Sequence, residues 1–483
     1  MGSGQVLGQG LALLRNVIVA RMVTTADYGI ASAFMVTVQL LESLSDLGTG
    51  TYLIQSPHGD DESTIDTAHT VNALRAVMNA IVLFGLAWPV SALFGIPQAR
   101  WAFQCLALWP LFNGIAHLDL CRLQRQMRFD QAVTDEVASQ AAALLLAWPL
   151  AYWLRDYSAI LWLLLIQRLV ATGASFLLAE RPYRWGWNRT YVSEMVSFGW
   201  PLIINGGLMY VIFQGDRLLI GASQHFSQKA YTLSDLGIYS VAAGLSMLPI
   251  SIVTGALSRP LLPFLAGVQT EFGRFVSRYR LSVQAICLVS GTLTLNAMLI
   301  GGAVLTLIYG DQYTSATQFY WILAASQGLR LIRVVPMIAG QAFADNRIYV
   351  IANLARVIGF PIALGVAILG GSLVWFAAAG FAGEMLALCA SVIAIKARYK
   401  IPVSSSFRPL VIVLGALTAA ALTISLGRIA GLMAQIVSAL ALSTMFVFAI
   451  LLTCSELREQ ASVTLRDLKQ YRNNFLRATP DQR

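Results

Sequence analysis

Asp27-Tyr28-Gly29-Ile30-Ala31-Ser32 recurs 208 positions later as Asp235-Leu236-Gly237-Ile238-Tyr239-Ser240, both fitting D-x-G-I-x-S. A second pair lies at a similar offset: Leu93-Phe94-Gly95 and Ile308-Tyr309-Gly310, 215 apart. Counted along the chain, the first pair follows apolar runs 1 and 7, and the second closes runs 3 and 9. The common shift of six runs indicates duplicated halves. An even shift sends both halves into the membrane in the same direction, so the axis relating them lies along the membrane normal. Parallel repeats of this kind mark transporters, with the substrate path between the halves. Chance is the competing reading, because short loops often carry D-x-G.

The sequence between these motifs identifies the solvent. Apolar residues make up 57% of the 483 positions and charged residues 12%, against about 25% charged in an ordinary soluble domain. So little charge cannot solvate a soluble protein of this size, and it equally excludes a disordered chain. The composition is that of an all-α integral membrane protein. Fourteen spans are read, at 3–22, 28–54, 68–94, 99–121, 132–154, 159–180, 197–221, 236–265, 281–308, 317–343, 348–369, 372–395, 408–427 and 430–453. Each has about the 20 residues a crossing needs. The connections are short, too short for an external catalytic domain. No cleavable signal peptide is expected, and the chain begins within its first helix.

The net charge of +9 is read by side of membrane, and no nucleic-acid partner is expected. Lys and Arg gather in cytoplasmic loops. The even loops hold Arg122, Arg125 and Arg128, then Arg181, Arg184 and Arg189, then Arg274, Arg278 and Arg280, then Lys396, Arg398, Lys400 and Arg408. The odd loops hold only Arg100, Arg155, Lys229 and Arg428. Both termini are therefore placed in the cytoplasm, including a charged tail at 455–483. The acidic loop 56–66 dissents, but the rule counts bases rather than net charge.

Ionisable residues inside spans are the functional candidates, since a charge at a helix centre costs about 2.5–3.5 kcal/mol on insertion scales. The basic set is Arg15, Arg75, Arg168, Arg330, Arg333 and Arg356. Arg330 and Arg333 share a helix face, and would repel unless an anion or an acid lay between them. The guanidinium fork suits phosphate, so Arg15, Arg75, Arg330, Arg333 and Arg356 are candidate substrate contacts; structural salt bridges are the alternative. Glu42, Asp46 and Glu384 form the acidic set, with Glu42 and Asp46 on one face. They are candidate proton or cation carriers, or else neutralise nearby arginines. Asp216 and Arg217 are read as an interfacial cap or a lock between bundles, and Arg259 as a gate or anchor.

The five cysteines and four histidines show no metal-ligand spacing, so neither a metal nor a disulfide is expected. There is no G-x-x-x-x-G-K-[ST], hence no built-in ATPase. No cofactor is expected beyond a coupling proton or sodium ion.

A series of short motifs carries a family resemblance. It runs from Ala20-Arg21-Met22-Val23-Thr24-Thr25-Ala26-Asp27-Tyr28-Gly29 through Asp46-Leu47-Gly48, Ile54-Gln55 and Asp66-Thr67-Ala68 with Arg75. It continues with Gln126-Met127-Arg128-Phe129, Phe198-Gly199-Trp200-Pro201 and Asp216-Arg217-Leu218-Leu219-Ile220-Gly221. Leu236-Gly237-Ile238-Tyr239 and Ile308-Tyr309-Gly310 with Tyr313 close the series. In order and spacing it resembles the oligosaccharide flippase, or polysaccharide transport, family of the multidrug/oligosaccharidyl-lipid/polysaccharide exporter superfamily. Thr25 stands where that family usually has Pro.

The resemblance implies two pseudo-symmetric six-helix bundles, 1–186 and 187–400, around a central cavity. Two additional helices at 401–454 and the tail at 455–483 would follow. It implies alternating access in the bacterial inner membrane, and a polyprenyl-diphosphate-linked oligosaccharide as substrate, for exopolysaccharide or O-antigen biosynthesis. Membrane lipids and polysaccharide polymerase and export proteins would be its partners. The protein would not be an enzyme and would have no catalytic residues. A cation-coupled multidrug antiporter of the same superfamily is the rival reading, and a membrane glycan polymerase or ligase a more distant one.

Overall fold

The computed structural model describes residues 2–402, 404–426, 431–454 and 456–459. Eighteen α-helices run through them in order, with no strand among the described residues. They are α1 (Gly2–Met22), α2 (Thr25–Ser45), α3 (Thr49–Gln55), α4 (Glu62–Leu93), α5 (Arg100–Leu106) and α6 (Leu108–Gly114). Next come α7 (Asp119–Arg125), α8 (Asp130–Leu154), α9 (Tyr157–Leu178), α10 (Arg189–Gly221), α11 (Leu233–Ala266) and α12 (Phe272–Tyr309). The last are α13 (Thr317–Ala342), α14 (Arg347–Val357), α15 (Gly359–Ile368), α16 (Leu373–Tyr399), α17 (Ser404–Ser425) and α18 (Leu432–Thr453).

Among the described residues, eleven helices are long and apolar enough to cross a membrane, or twelve if the bent pair α2–α3 is one span. The protein is thus a multi-pass membrane protein, although the structure does not reproduce the expected fourteen spans. α1 is a full-length helix, but Gln5, Gln9, Arg15, Asn16 and Arg21 make it too polar to pass. The expected span 99–121 is instead two seven-residue helices, α5 and α6, broken at Ala107. Pro110 accounts for the break: it has no N–H for the Leu106 carbonyl, and its ring crowds that group. Pro361 acts in the same way four residues after Val357, where α14 stops and α15 begins. The expected span 28–54 bends by 45° between α2 and α3. There the Asp46 carboxylate accepts the Gly48 N–H at 3.0 Å, and Gly48 takes φ +61°, a conformation open chiefly to glycine.

The chain divides into two compact units. The first comprises Met1–Gly244, Leu305–Ala316 and Gly359–Ala379. In it α8 packs on α1 and α9, α2 on α9 and α10, and α4 on α5 and α6. The second comprises Leu245–Val304, Thr317–Ile358 and Gly380–Arg483. In it α13 packs on α14 and α17 on α18. The exterior is apolar: Ile81, Leu145, Leu177, Leu307, Leu369 and Met445 are all exposed. That much exposed hydrocarbon is stable only in lipid. Exposed Trp88, Trp153, Trp200 and Trp375 add amphipathic rings of the kind enriched at bilayer interfaces.

The duplicated motifs meet each other inside the first unit. Thr24 Oγ1 accepts the Asp27 N–H at 3.1 Å and donates to its carboxylate at 2.5 Å, capping α2. Thr232 and Asp235 repeat both bonds at α11, at 3.1 and 2.8 Å. The two helix starts then cross so closely that a Cβ on Gly29 would lie 1.9 Å from the Leu233 carbonyl oxygen. A Cβ on Gly237 would lie 2.1 Å from that of Thr25. Thr25 and Ser234 hydroxyls bond across the crossing at 2.7 Å.

The second motif pair shows the same exchange. The last carbonyls of α4, Ala92 and Leu93, accept from Gln224 Nε2 at 2.9 and 3.2 Å, beyond the end of α10. The last carbonyls of α12, Leu307 and Ile308, accept from Arg21 at the end of α1, the Ile308 bond being 2.7 Å. Gln312 Nε2 returns the favour to Ala20 O at 2.6 Å. Each helix end therefore has orphan carbonyls capped from the end of the first helix of the other repeat, α4 from beyond α10 and α12 from α1.

Candidate functional site

The first unit contains a cavity of about 230 Å³. Tyr28, Ala31, Ser32 and Met35 reach it from one face of α2, at the i, i+3, i+4, i+7 spacing of a helix. α1 contributes Arg15, Asn16 and Val19; α10 contributes Gln214 and Arg217; α11 contributes Ser240 and Gly244. α9 closes it with Ile160, Leu163 and Leu164. Two arginines line this cavity and no acidic side chain does.

The hydrogen bonds of these arginines explain how that charge is kept. Arg15 donates Nη1 to the carboxamide oxygens of Gln167 and, at 3.4 Å, Gln140. Its Nε and Nη2 reach Asn16 Oδ1 at 3.3 and 3.2 Å. Arg217 Nη1 donates to Gln214 Oε1 at 2.8 Å. Neither arginine has a carboxylate within ion-pair distance among the described residues. Arg217 Nε and the Ser240 hydroxyl are buried with no hydrogen-bond partner. Tyr28 lies within electrostatic range of both guanidinium groups. Positive charge without a counter-ion in low dielectric is costly, and an entering anion would relieve it.

The other candidates are placed as follows. Arg75 Nη1 lies 3.2 Å from Asp46 and 3.6 Å from Glu42, and Asn113 donates to Glu42 at 3.2 Å. These three sequence candidates thus form one ion cluster. Arg168 lies over the Trp109 ring at 5.3 Å. Asp216 accepts from Tyr239 at 2.6 Å and from its neighbour's backbone N–H at 2.8 Å. It ties α10 to α11, while Arg217 turns into the cavity. In the second unit, Glu384 on α16 lies 2.7 Å from Arg356 Nε and 3.4 Å from Arg333 Nε. Its side chain is 2% exposed, and that of Arg333 4%. Arg333 also donates to Asn353 Oδ1 at 3.3 Å. Arg330 adds a third guanidinium within range of the same carboxylate. The side chain of Arg259 and the tail beyond Glu459 lie outside the described residues.

Sequence reading did not select Gln140, Gln167 or Gln214. The available signal was chemical: a carboxamide inside an apolar helix, as in Leu163-Leu164-Leu165-Ile166-Gln167, and the i, i+3 spacing of Gln214 and Arg217.

A family model described as "Polysaccharide biosynthesis protein" matches residues 18–318. The succinoglycan biosynthesis transport protein ExoT of Rhizobium meliloti (strain 1021) is 22% identical over 321 residues, 66% of this chain and 63% of that protein. The amylovoran biosynthesis protein AmsL of Erwinia amylovora is 22% identical over 260 residues, 52% of this chain and 64% of that one. The match thus spans less than two thirds of either relative's length. Among solved structures, the lipid II flippase MurJ in an inward closed conformation superposes with a TM-score of 0.72 at 13% identity, over 96% of this chain and 98% of that one. An inward-facing multidrug resistance transporter of the MATE family gives 0.65 at 12% identity, over 81% and 94%. At these identities the two structures establish a shared fold.

Proposed function

Since the chain belongs to the polysaccharide biosynthesis protein family, we propose that it is a flippase for a polyprenyl-diphosphate-linked oligosaccharide. It would move the repeat unit across the bacterial inner membrane by alternating access, for exopolysaccharide or O-antigen assembly. The observation that carries this reading is the cavity with two arginines and no carboxylate, since paired guanidinium donors suit a diphosphate. The names of the two curated relatives, a transport protein and a biosynthesis protein of exopolysaccharides, support it. Arg15 and Arg217 would meet the diphosphate; Arg330, Arg333 and Arg356 remain candidates for acidic sugars or the same group. Glu42, Asp46 and Glu384 are the coupling candidates for a proton or sodium ion. Both termini would lie in the cytoplasm, and the protein would work with a polymerase and export proteins rather than catalyse a reaction itself.

The shared fold of the multidrug transporters keeps one rival, a cation-coupled drug antiporter. A cationic drug would gain nothing from this cavity wall. Lipid analysis of a strain lacking the gene separates the readings. We expect a polyprenyl-diphosphate oligosaccharide to accumulate, shielded from a periplasm-confined probe, while surface polymer falls. Arg15→Ala with Arg217→Ala should reproduce this. Increased drug sensitivity without accumulation would replace the flippase with the antiporter. Accumulation of single units on the outer face would mean that the protein acts in polymerisation.

A further inference from the structure

We infer that Gln140, Gln167 and Gln214 are positioning residues that fix the two cavity arginines while leaving their charge uncompensated. The inference rests on the anion-binding reading of this cavity. A guanidinium in an apolar protein needs acceptors, and a carboxylate is the usual one. Here the principal acceptors are carboxamides, from Gln167 on α9 and Gln140 on α8 for Arg15, and from Gln214, one turn earlier on the same helix α10, for Arg217. A carboxamide oxygen satisfies and orients the fork but contributes no charge. The arrangement around Gln140 makes the distinction explicit. Its oxygen accepts from Arg15, and its Nε2 donates to the Glu136 carboxylate at 3.0 Å. Gln140 is 8% exposed, so it acts as a buried spacer that keeps the nearest acid one amide away from the arginine. On the α10 side, Asp216 is likewise occupied, by Tyr239 and a backbone N–H, and leaves its neighbour Arg217 to the cavity. Two full positive charges thus face a cavity wall that also holds an orphan guanidinium N–H and an orphan hydroxyl, Arg217 Nε and Ser240 Oγ. That wall fits a ligand group with more than one negative charge.

The test is to exchange carboxamide for carboxylate, which changes charge at nearly constant shape. Purified full-length protein in detergent is titrated with inorganic diphosphate. Gln167→Glu and Gln214→Glu should each weaken diphosphate binding roughly tenfold or more at pH 7.5, the scale of one charged hydrogen bond. Gln167→Asn, which shortens the side chain but adds no charge, should lose less. As pH falls and the new Glu carboxyl protonates, the ratio of variant to wild-type affinity should return toward one. At Gln167 that carboxyl would meet Arg15, which itself lies within electrostatic range of Tyr28 and Glu136, with Arg168 next to it along α9. The probe's own protonation affects both proteins alike and cancels in the ratio. Gln214→Glu, on a different helix, keeps the test open if Gln167→Glu does not fold. Wild-type protein that binds no diphosphate overturns the inference. So do Glu variants that bind as the wild type does, or a loss that is equal in Gln167→Asn and independent of pH. Diphosphate binding in a protein whose deletion causes no lipid-linked oligosaccharide to accumulate would overturn the flippase reading and leave the clamp standing.

Discussion

Arg333, Glu384 and Arg356 show how a single residue type acquires its role from its partners. The three side chains lie almost wholly out of solvent, and one carboxylate serves two guanidinium groups, at 3.4 and 2.7 Å. Removing the acid from such a group strands buried charge, which costs about 3–5 kcal/mol. Glu384→Gln should therefore lower the thermal unfolding midpoint of the detergent-solubilised protein by several degrees. Removing one of the stranded cations as well, with Glu384→Gln plus Arg356→Gln, should recover part of it. A single variant as stable as the wild type would show that Glu384 does not hold this cluster together. Arg15 is of the same residue type, yet its partners are amides. The sequence marked both positions as charges in apolar helices. It could not mark which carboxylate or carboxamide, over a hundred residues away in the case of Arg15, would face each one.

At the scale of elements, the crossing of α2 and α11 depends on two hydrogen atoms. A side chain at Gly29 or Gly237 would place Cβ about 2 Å from a backbone carbonyl of the opposite helix, and backbone cannot yield as a side-chain tip can. Gly29→Val and Gly237→Val should each sharply reduce the yield of monodisperse protein in size-exclusion chromatography. Gly85, which has open space around the same hypothetical atom, should accept Val far better. Equal yields for all three would remove the crossing from the determinants of the fold. The segment after α18 is held differently. Glu456 accepts from Arg280 at 2.5 Å and from Gln284 at 2.7 Å. Burial alone would raise the Glu456 carboxyl, but those donors outweigh it and pull it down to about 2. A depressed carboxyl stabilises the folded state above its unfolded pKa of about 4.3. That contribution is lost as pH falls from there toward 2. Hydrogen exchange at residues 456–459 should therefore accelerate, relative to the chain's other helix ends, as pH falls from about 4.3 toward 2. No change in that window would show that the contact does not fasten the segment. Proline positions were legible in the sequence, but that Pro110 and Pro361 break their helices, while Pro149 and Pro201 lie within continuous ones, depends on the packing around each.

For the whole molecule, the distribution of Lys and Arg predicts sidedness. A reporter that fluoresces only when folded in the cytoplasm, fused after Arg483, should be bright, and alkaline phosphatase fused at Gln224 should be active. The opposite pattern would invert every assignment of inside and outside. The sequence by itself determined the class of protein, because 12% charged residues in 483 leave hydrocarbon as the only compatible solvent, and this is a property of composition. It also determined the repeated cap, because D-x-G-I-x-S is a local cap and turn whose residues lie next to one another in the chain. Only the tertiary structure decided that the two copies pack on each other. It alone decided that Arg21 of α1 caps α12 while Gln224 after α10 caps α4, that Arg75 is spent on Glu42 and Asp46, and that Arg15 and Arg217 share a cavity. Each of these is a pairing between distant segments. A buried charge reports its cost in the sequence through the apolar residues around it, but its compensation is a contact, and contacts exist only once the chain has folded.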